Sequence, residues 1–168
     1  MNRRIIPLCA CALALVMAAP APAADPRKSR HLWATVNVCD TARNPNALGI
    51  RASMPGSGRR KESMWMRFRV QYFSRSEQIW HNFTVDGADS GSVRVGRHAR
   101  FRMRQSGFLF PFEPEIGDRY LLRGQVEFQW RDRRGRIVRR VRELTTGGHG
   151  SVVADPKGFS AARCEIVG

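Results

Sequence analysis

From residue 31 onward, apolar and polar side chains alternate with the period of two that lets a β-strand bury one face. Leu32, Ala34, Val36 and Val38 share one side of a predicted strand at 31–38, and Trp33, Thr35 and Asn37 share the other. Cys39 then falls on the Trp33 side. Either a bulge shifts the phase before Cys39, or Trp33 faces the core. Asn44-Pro45-Asn46 signals a turn, after which Leu48, Ile50, Ala52 and Met54 resume the alternation. A loop at 55–61, with two glycines and three basic residues, leads into a clear strand. There Met64, Met66, Phe68, Val70 and Tyr72 alternate with Trp65, Arg67, Arg69 and Gln71.

Further along, Ile79, Phe83 and Val85 share a face with His81 in a shorter predicted strand at 79–85, and 86–91 reads as a turn. Residues 93–105 read as a strand that carries Arg100, Arg102 and Arg104 on one face, alternating with Phe101 and Met103. Pro111 makes 107–114 a poor central strand. The strongest alternation runs over 120–130, where Tyr120, Leu122, Gly124, Val126, Phe128 and Trp130 line one face. Residues 131–135 turn the chain, 136–144 return as the partner of a hairpin, and a last short strand at 160–167 holds Cys164. No stretch keeps helical spacing. About eight short strands separated by turn signals predict an all-β sandwich.

The chain's start changes the setting. Arg3 and Arg4 precede an apolar run at 5–19, and Ala21-Pro22-Ala23 follows with small side chains, the order of a secretory signal peptide at 1–23. Its removal predicts a secreted or extracytoplasmic chain, 24–168, forming one domain. The apolar run is shorter than the roughly 20 residues of a membrane-spanning helix, so no membrane span is expected in the mature chain. Cys9 and Cys11 would leave with the signal. Cys39 and Cys164 then remain in an oxidising compartment and are expected to form one disulfide joining the first and last strands, with intermolecular pairing or a metal role as the alternatives.

The segment 125–138, with Trp130 before the turn Arg131-Asp132-Arg133-Arg134-Gly135, resembles the Trp-containing hairpin of immunoglobulin-like and fibronectin-like domains. Together with the signal segment and the terminal cysteines, the mature chain resembles small secreted immunoglobulin-like proteins of GC-rich bacteria. That resemblance implies an immunoglobulin-like β-sandwich. Two features depart from antibody-type domains: Trp130 is far from Cys39, and the cysteines stand about twice as far apart as an inter-sheet pair in a domain of about 100 residues. A shared fold carries no activity with it.

Charge adds one candidate surface. The formal net charge is +15, and 26 of the 29 basic residues are arginine. Two origins stay open: GC-rich codon usage, or contact with a polyanion drawn by the long-range field. Arginines at alternate strand positions stand about 6.6 to 7 Å apart, near phosphate spacing, and guanidinium groups hold phosphate bidentately. The row Arg100, Arg102 and Arg104 and the basic hairpin with Arg136 and Arg140 are the candidate polyanion-binding residues. If row and hairpin share one face of the sandwich they form a single field, and if not, each is a solvated row.

Catalytic patterns are sparse. His31, His81, His98 and His149 have no partner at ligand spacing, so no metal and no cofactor is expected. Glu113 and Glu115 flank Pro114 in a loop, Asp86 and Asp89 supply too few oxygens for calcium, and the serines show no nucleophile-elbow spacing. No aromatic platform interleaves the arginines in sequence, which argues against specific nucleic acid as a partner. Phe108, Leu109, Phe110 and Phe112 either cap one end of the sandwich or form a docking patch. The expected function is a secreted, non-catalytic binding or structural module at the cell envelope, with an anionic envelope polymer or another envelope protein as partner. A small secreted enzyme or enzyme inhibitor, and a polyanion binder using the Arg-rich strand faces, are the alternatives.

Overall fold

Alternation becomes pairing in the computed structural model, which describes residues 25–97, 99 and 103–168. The predicted signal segment at 1–23 and the side chains of His98, Arg100 and Arg102 lie outside the described residues. Among the described residues nine strands follow a short 3-10 turn at Pro26–Lys28: β1 (Trp33–Thr41), β2 (Asn44–Met54), β3 (Ser63–Ser74), β4 (Ile79–Asn82), β5 (Val93–Gly96), β6 (Arg104–Pro111), β7 (Arg119–Arg131), β8 (Ile137–Leu144) and β9 (Cys164–Val167). One sheet has the order β1-β2-β6. The other runs β4-β3-β7-β8, with β5 also on β3 and β9 also on β7. Every strand pair is antiparallel.

The two sheets share one core, as their sequence periods require. Ala34, Val36, Leu48, Ile50, Ala52, Met54 and Phe110 come from the smaller sheet; Met64, Met66, Phe68, Val70, Leu122, Val126, Phe128 and Trp130 come from the larger. Each set occupies alternate positions of its strand. The phase question at Cys39 resolves as a bulge: Val36 lies opposite Ile50 but Val38 lies opposite Gly49, so Asn37 is the extra residue. Cys39 thereby comes opposite Leu48, on the core side, and bonds Cys164 with a Cα–Cα distance of 5.4 Å. The disulfide joins the first strand to the last.

Three segments differ from the sequence reading. The β1–β2 turn falls at Ala42 and Arg43, so Asn44-Pro45-Asn46 opens β2. Side chains upstream fix that turn, because Thr41 Oγ1 accepts the Asn44 N–H at 3.1 Å and Asp40 accepts the Asn46 N–H at 2.8 Å. Residues 93–105 are not one strand: β5 belongs to the larger sheet and β6 to the smaller. The chain crosses between them at Ala99, whose N–H donates to Glu62 O and whose carbonyl accepts from Gly58, each at 2.8 Å. Local alternation continued through the crossover and hid it. The 79–85 strand ends at Asn82, after which Phe83 turns inward to meet Tyr72, Phe112 and Tyr120.

These features give the sandwich two unlike ends. One carries the aromatic cluster around Phe83 and the disulfide. The other is where β2 leads to β3, where the chain crosses from β5 to β6, and where β7 turns into β8. Trp130, fully buried, marks that end by donating its indole N–H to Pro55 O at 3.1 Å.

Candidate functional site

The second end is a cationic cleft built from two connections. Because Ser63 pairs with Arg131, the loop that precedes β3 and the turn that follows β7 must emerge side by side. Between them lies a cavity of about 570 Å³, with Arg59, Arg60 and Lys61 on one wall and Arg133, Arg134 and Arg136 on the other. Val138 also lines it. Like charges are tolerated there because the side chains are long and solvated.

Two carboxylates also line the cleft, and both are engaged by the fold. Glu62, buried, accepts from Ser57 Oγ at 2.5 Å and from Arg59 at 3.2 Å. Asp132 shapes its turn: it accepts the N–H groups of Arg134 and Arg136 at 2.9 and 3.0 Å and pairs with the Arg136 guanidinium at 2.8 Å. Gly135 completes the turn at φ 79°, a conformation that favours glycine. Desolvation opposes ionisation of Asp132, but the Arg136 guanidinium and the two N–H groups outweigh it and hold the carboxyl below its usual range. Six basic residues thus line the cleft, of which Arg59 pairs with Glu62 and Arg136 with Asp132.

Of the residues singled out from sequence, Arg136 lines this cleft and Arg104 opens β6 at the same end, opposite Met54. The Ala99 backbone ties the segment before Arg104 to the loop wall. Arg104 therefore stands at the same end of the sandwich as the hairpin turn, while Arg100 and Arg102 lie outside the described residues. Arg140 lies apart, on the outer face of the larger sheet, where it and Arg142 grip Glu127 at 3.3 and 2.8 Å. Burial pushes the Glu127 carboxyl up, yet Arg142, Gln129 and Arg140 together bring it below its ordinary value.

That outer face also corrects the sequence reading of the aromatics. Arginines and tryptophans do interleave, but across strands: Arg131 lies 4.4 Å and Arg94 5.9 Å from the Trp65 ring, and Arg123 and Arg163 lie 4.1 and 5.5 Å from Trp80. Asp89, far from forming a cation loop, binds Arg67 and Arg69, and its carboxyl is lowered to about 2 despite desolvation. His149 stacks on Trp33 at 4.3 Å, and His81 bonds Glu77. Among the described residues, no group of three or more histidine, cysteine or acidic side chains converges as a metal would require. Arg59, Arg60, Lys61, Arg133 and Arg134 were visible as basic residues. What the sequence concealed was the β3–β7 pairing that makes them neighbours.

Comparison with protein-family models, with curated proteins and with solved structures finds no match.

Proposed function

We propose that the protein is a non-catalytic binding module whose cationic end holds a phosphate-bearing polymer of the cell envelope. The observation that carries this reading is the cleft between 59–62 and 132–136, lined by six basic residues against two acids, both already engaged by Arg59 and Arg136. Guanidinium groups on two opposed walls suit bidentate capture of successive phosphates. Arg104 extends the same field, and Arg100 and Arg102 adjoin it in sequence. Engagement of Glu62 and Asp132 leaves neither poised as a general acid or base, which favours binding over chemistry.

On this reading residues 1–23 are an export signal, and the single domain at 24–168 works outside the cytoplasm. The Cys39–Cys164 bond suits an oxidising compartment. The paired sheets and the Trp130 hairpin support placing the domain among immunoglobulin-like sandwiches.

The test is titration of the mature chain with linear polyphosphate at several salt concentrations. Binding is expected at about 0.02 M salt and a steep loss by about 0.15 M, because each neutralised phosphate releases counterions. The triple variant Arg59→Gln, Arg133→Gln, Arg134→Gln should bind at least about tenfold more weakly and with a shallower salt slope. Arg140→Gln, on the sheet face, should change little. Absence of binding at low salt, or a triple variant equal to the parent, would overturn the proposal.

A further inference from the structure

A sheet edge leaves one row of backbone N–H and C=O groups without a neighbouring strand, and proteins guard such edges with charge, shortness or cover. Most edges here are guarded. β1 is covered by a later segment, with Ala161 bridging Val36 and Asp155 bridging Val38. β4, β5 and β9 are four residues each. β8 carries Arg139, Arg140, Arg142 and Glu143. β6 is guarded only at its two ends, by Arg104 and Pro111, and its middle is open. Among the described residues it pairs with β2 alone, it is eight residues long, and no side chain from 105 to 112 is charged. Phe108 has the inward phase, opposite Ile50, yet is 38% exposed, with no described strand beyond it; Leu109, on the outer face, is 44% exposed.

We infer that β6 pairs with β6 of a second copy, antiparallel about Phe108, and joins two three-stranded sheets into one of six. The matching surface such an edge needs is an uncharged strand with an open side, and the molecule carries that surface itself. Two-fold pairing uses both edges and closes the assembly at two. It sets Phe108 against its own counterpart as a cross-strand aromatic pair, which covers the ring that β2 leaves exposed.

Electrostatics favour this arrangement over the other edges. A chain of net charge +15 repels its copies. With Phe108 at the centre, Arg104 falls opposite Phe112 of the second copy, so the two Arg104 side chains stand about 27 Å apart along the strands. That exceeds the screening length of about 8 Å at physiological salt. The antiparallel sense also points the two basic ends in opposite directions. The inference stands independently of what the cleft binds.

Sedimentation velocity of the mature chain, from low micromolar to submillimolar concentration, tests it. A monomer–dimer equilibrium is expected, shifting toward dimer as salt rises. Leu109→Lys and Leu109→Glu each place like charges about 7 to 8 Å apart across the new strand pair, and each should weaken self-association at least about tenfold. An equimolar mixture of the two should dimerise again, because opposite charges then meet. Leu109 is exposed, so both variants should keep the parent's circular dichroism. A parent that stays monomeric throughout, or variants that dimerise as the parent does, would overturn the inference.

Discussion

Gly124 in β7 and Ile50 in β2 meet across the two sheets so closely that a Cβ on Gly124 would lie 2.6 Å from Ile50 Cδ1. The same atom would lie 2.7 Å from Thr145 Cγ2, while Thr145 Oγ1 accepts the Gly124 N–H at 3.0 Å. Glycine at this position is therefore a packing requirement in the middle of the strongest strand, where its missing side chain makes room for the opposite sheet. Gly124→Ala should lower stability by about 1 to 3 kcal/mol in urea unfolding. Adding Ile50→Val should recover part of that loss, since the two positions share one contact.

Trp130 links the core to the cleft. It is fully buried, and its indole N–H holds Pro55, the first residue of the loop that forms one cleft wall. Trp130→Ala should cost about 3 to 5 kcal/mol in the same assay. Trp130→Phe keeps most of the apolar volume but loses the hydrogen bond. It should cost less and should speed amide exchange at Gly58 and Glu62, whose N–H groups donate within the same loop system.

How far these relationships could be read in the sequence depends on their range. Periods of two placed the strands around Phe68, Ile50 and Val126, and the faces they bury, because burial of one face leaves a local record. The bulge at Asn37 was legible as a conflict of phase between Val36 and Cys39. The crossover at Ala99 was not, since the segment after it keeps alternating while its hydrogen bonds go to Gly58 and Glu62. For the cleft, single residues such as Arg136 stood out, but its two walls depend on Ser63 pairing with Arg131, a contact between distant segments. The interleaving of Trp65 with Arg94 and Arg131 is likewise a property of neighbouring strands and leaves no mark within any one of them.

The disulfide should matter for the same reason of range. Cys39 and Cys164 are separated by 125 residues, and closing so long a loop restricts the unfolded chain more than a short one would. Replacing both with serine should cost up to about 4 to 5 kcal/mol. If residues 1–23 act as the proposed export signal, intact mass of the protein recovered outside the cytoplasm should show no alkylation of Cys39 or Cys164 before reduction and a start at Ala24 or Asp25.

His149 provides a pH-dependent contribution outside the cleft. Its ring lies flat on Trp33, its backbone N–H donates to Ser160 Oγ at 2.9 Å, and its backbone carbonyl accepts from Arg51 at 2.7 Å. The segment beyond β8 is thereby fastened over the smaller sheet. Burial first, and the neighbouring Arg51 cation second, push the imidazole below its ordinary value of 6.5. Below pH 6.5 the unfolded chain then binds more protons at this site than the folded chain, so the contribution is complete above that pH and declines as pH falls beneath it. Thermal unfolding at pH values on either side of 6.5 should show this decline in the parent, superimposed on any carboxylate effects. His149→Phe keeps a ring on Trp33 without a titrating group, so its stability should fall less over the same interval. An imidazole titration by NMR with a midpoint at or above 6.5 would contradict the assignment.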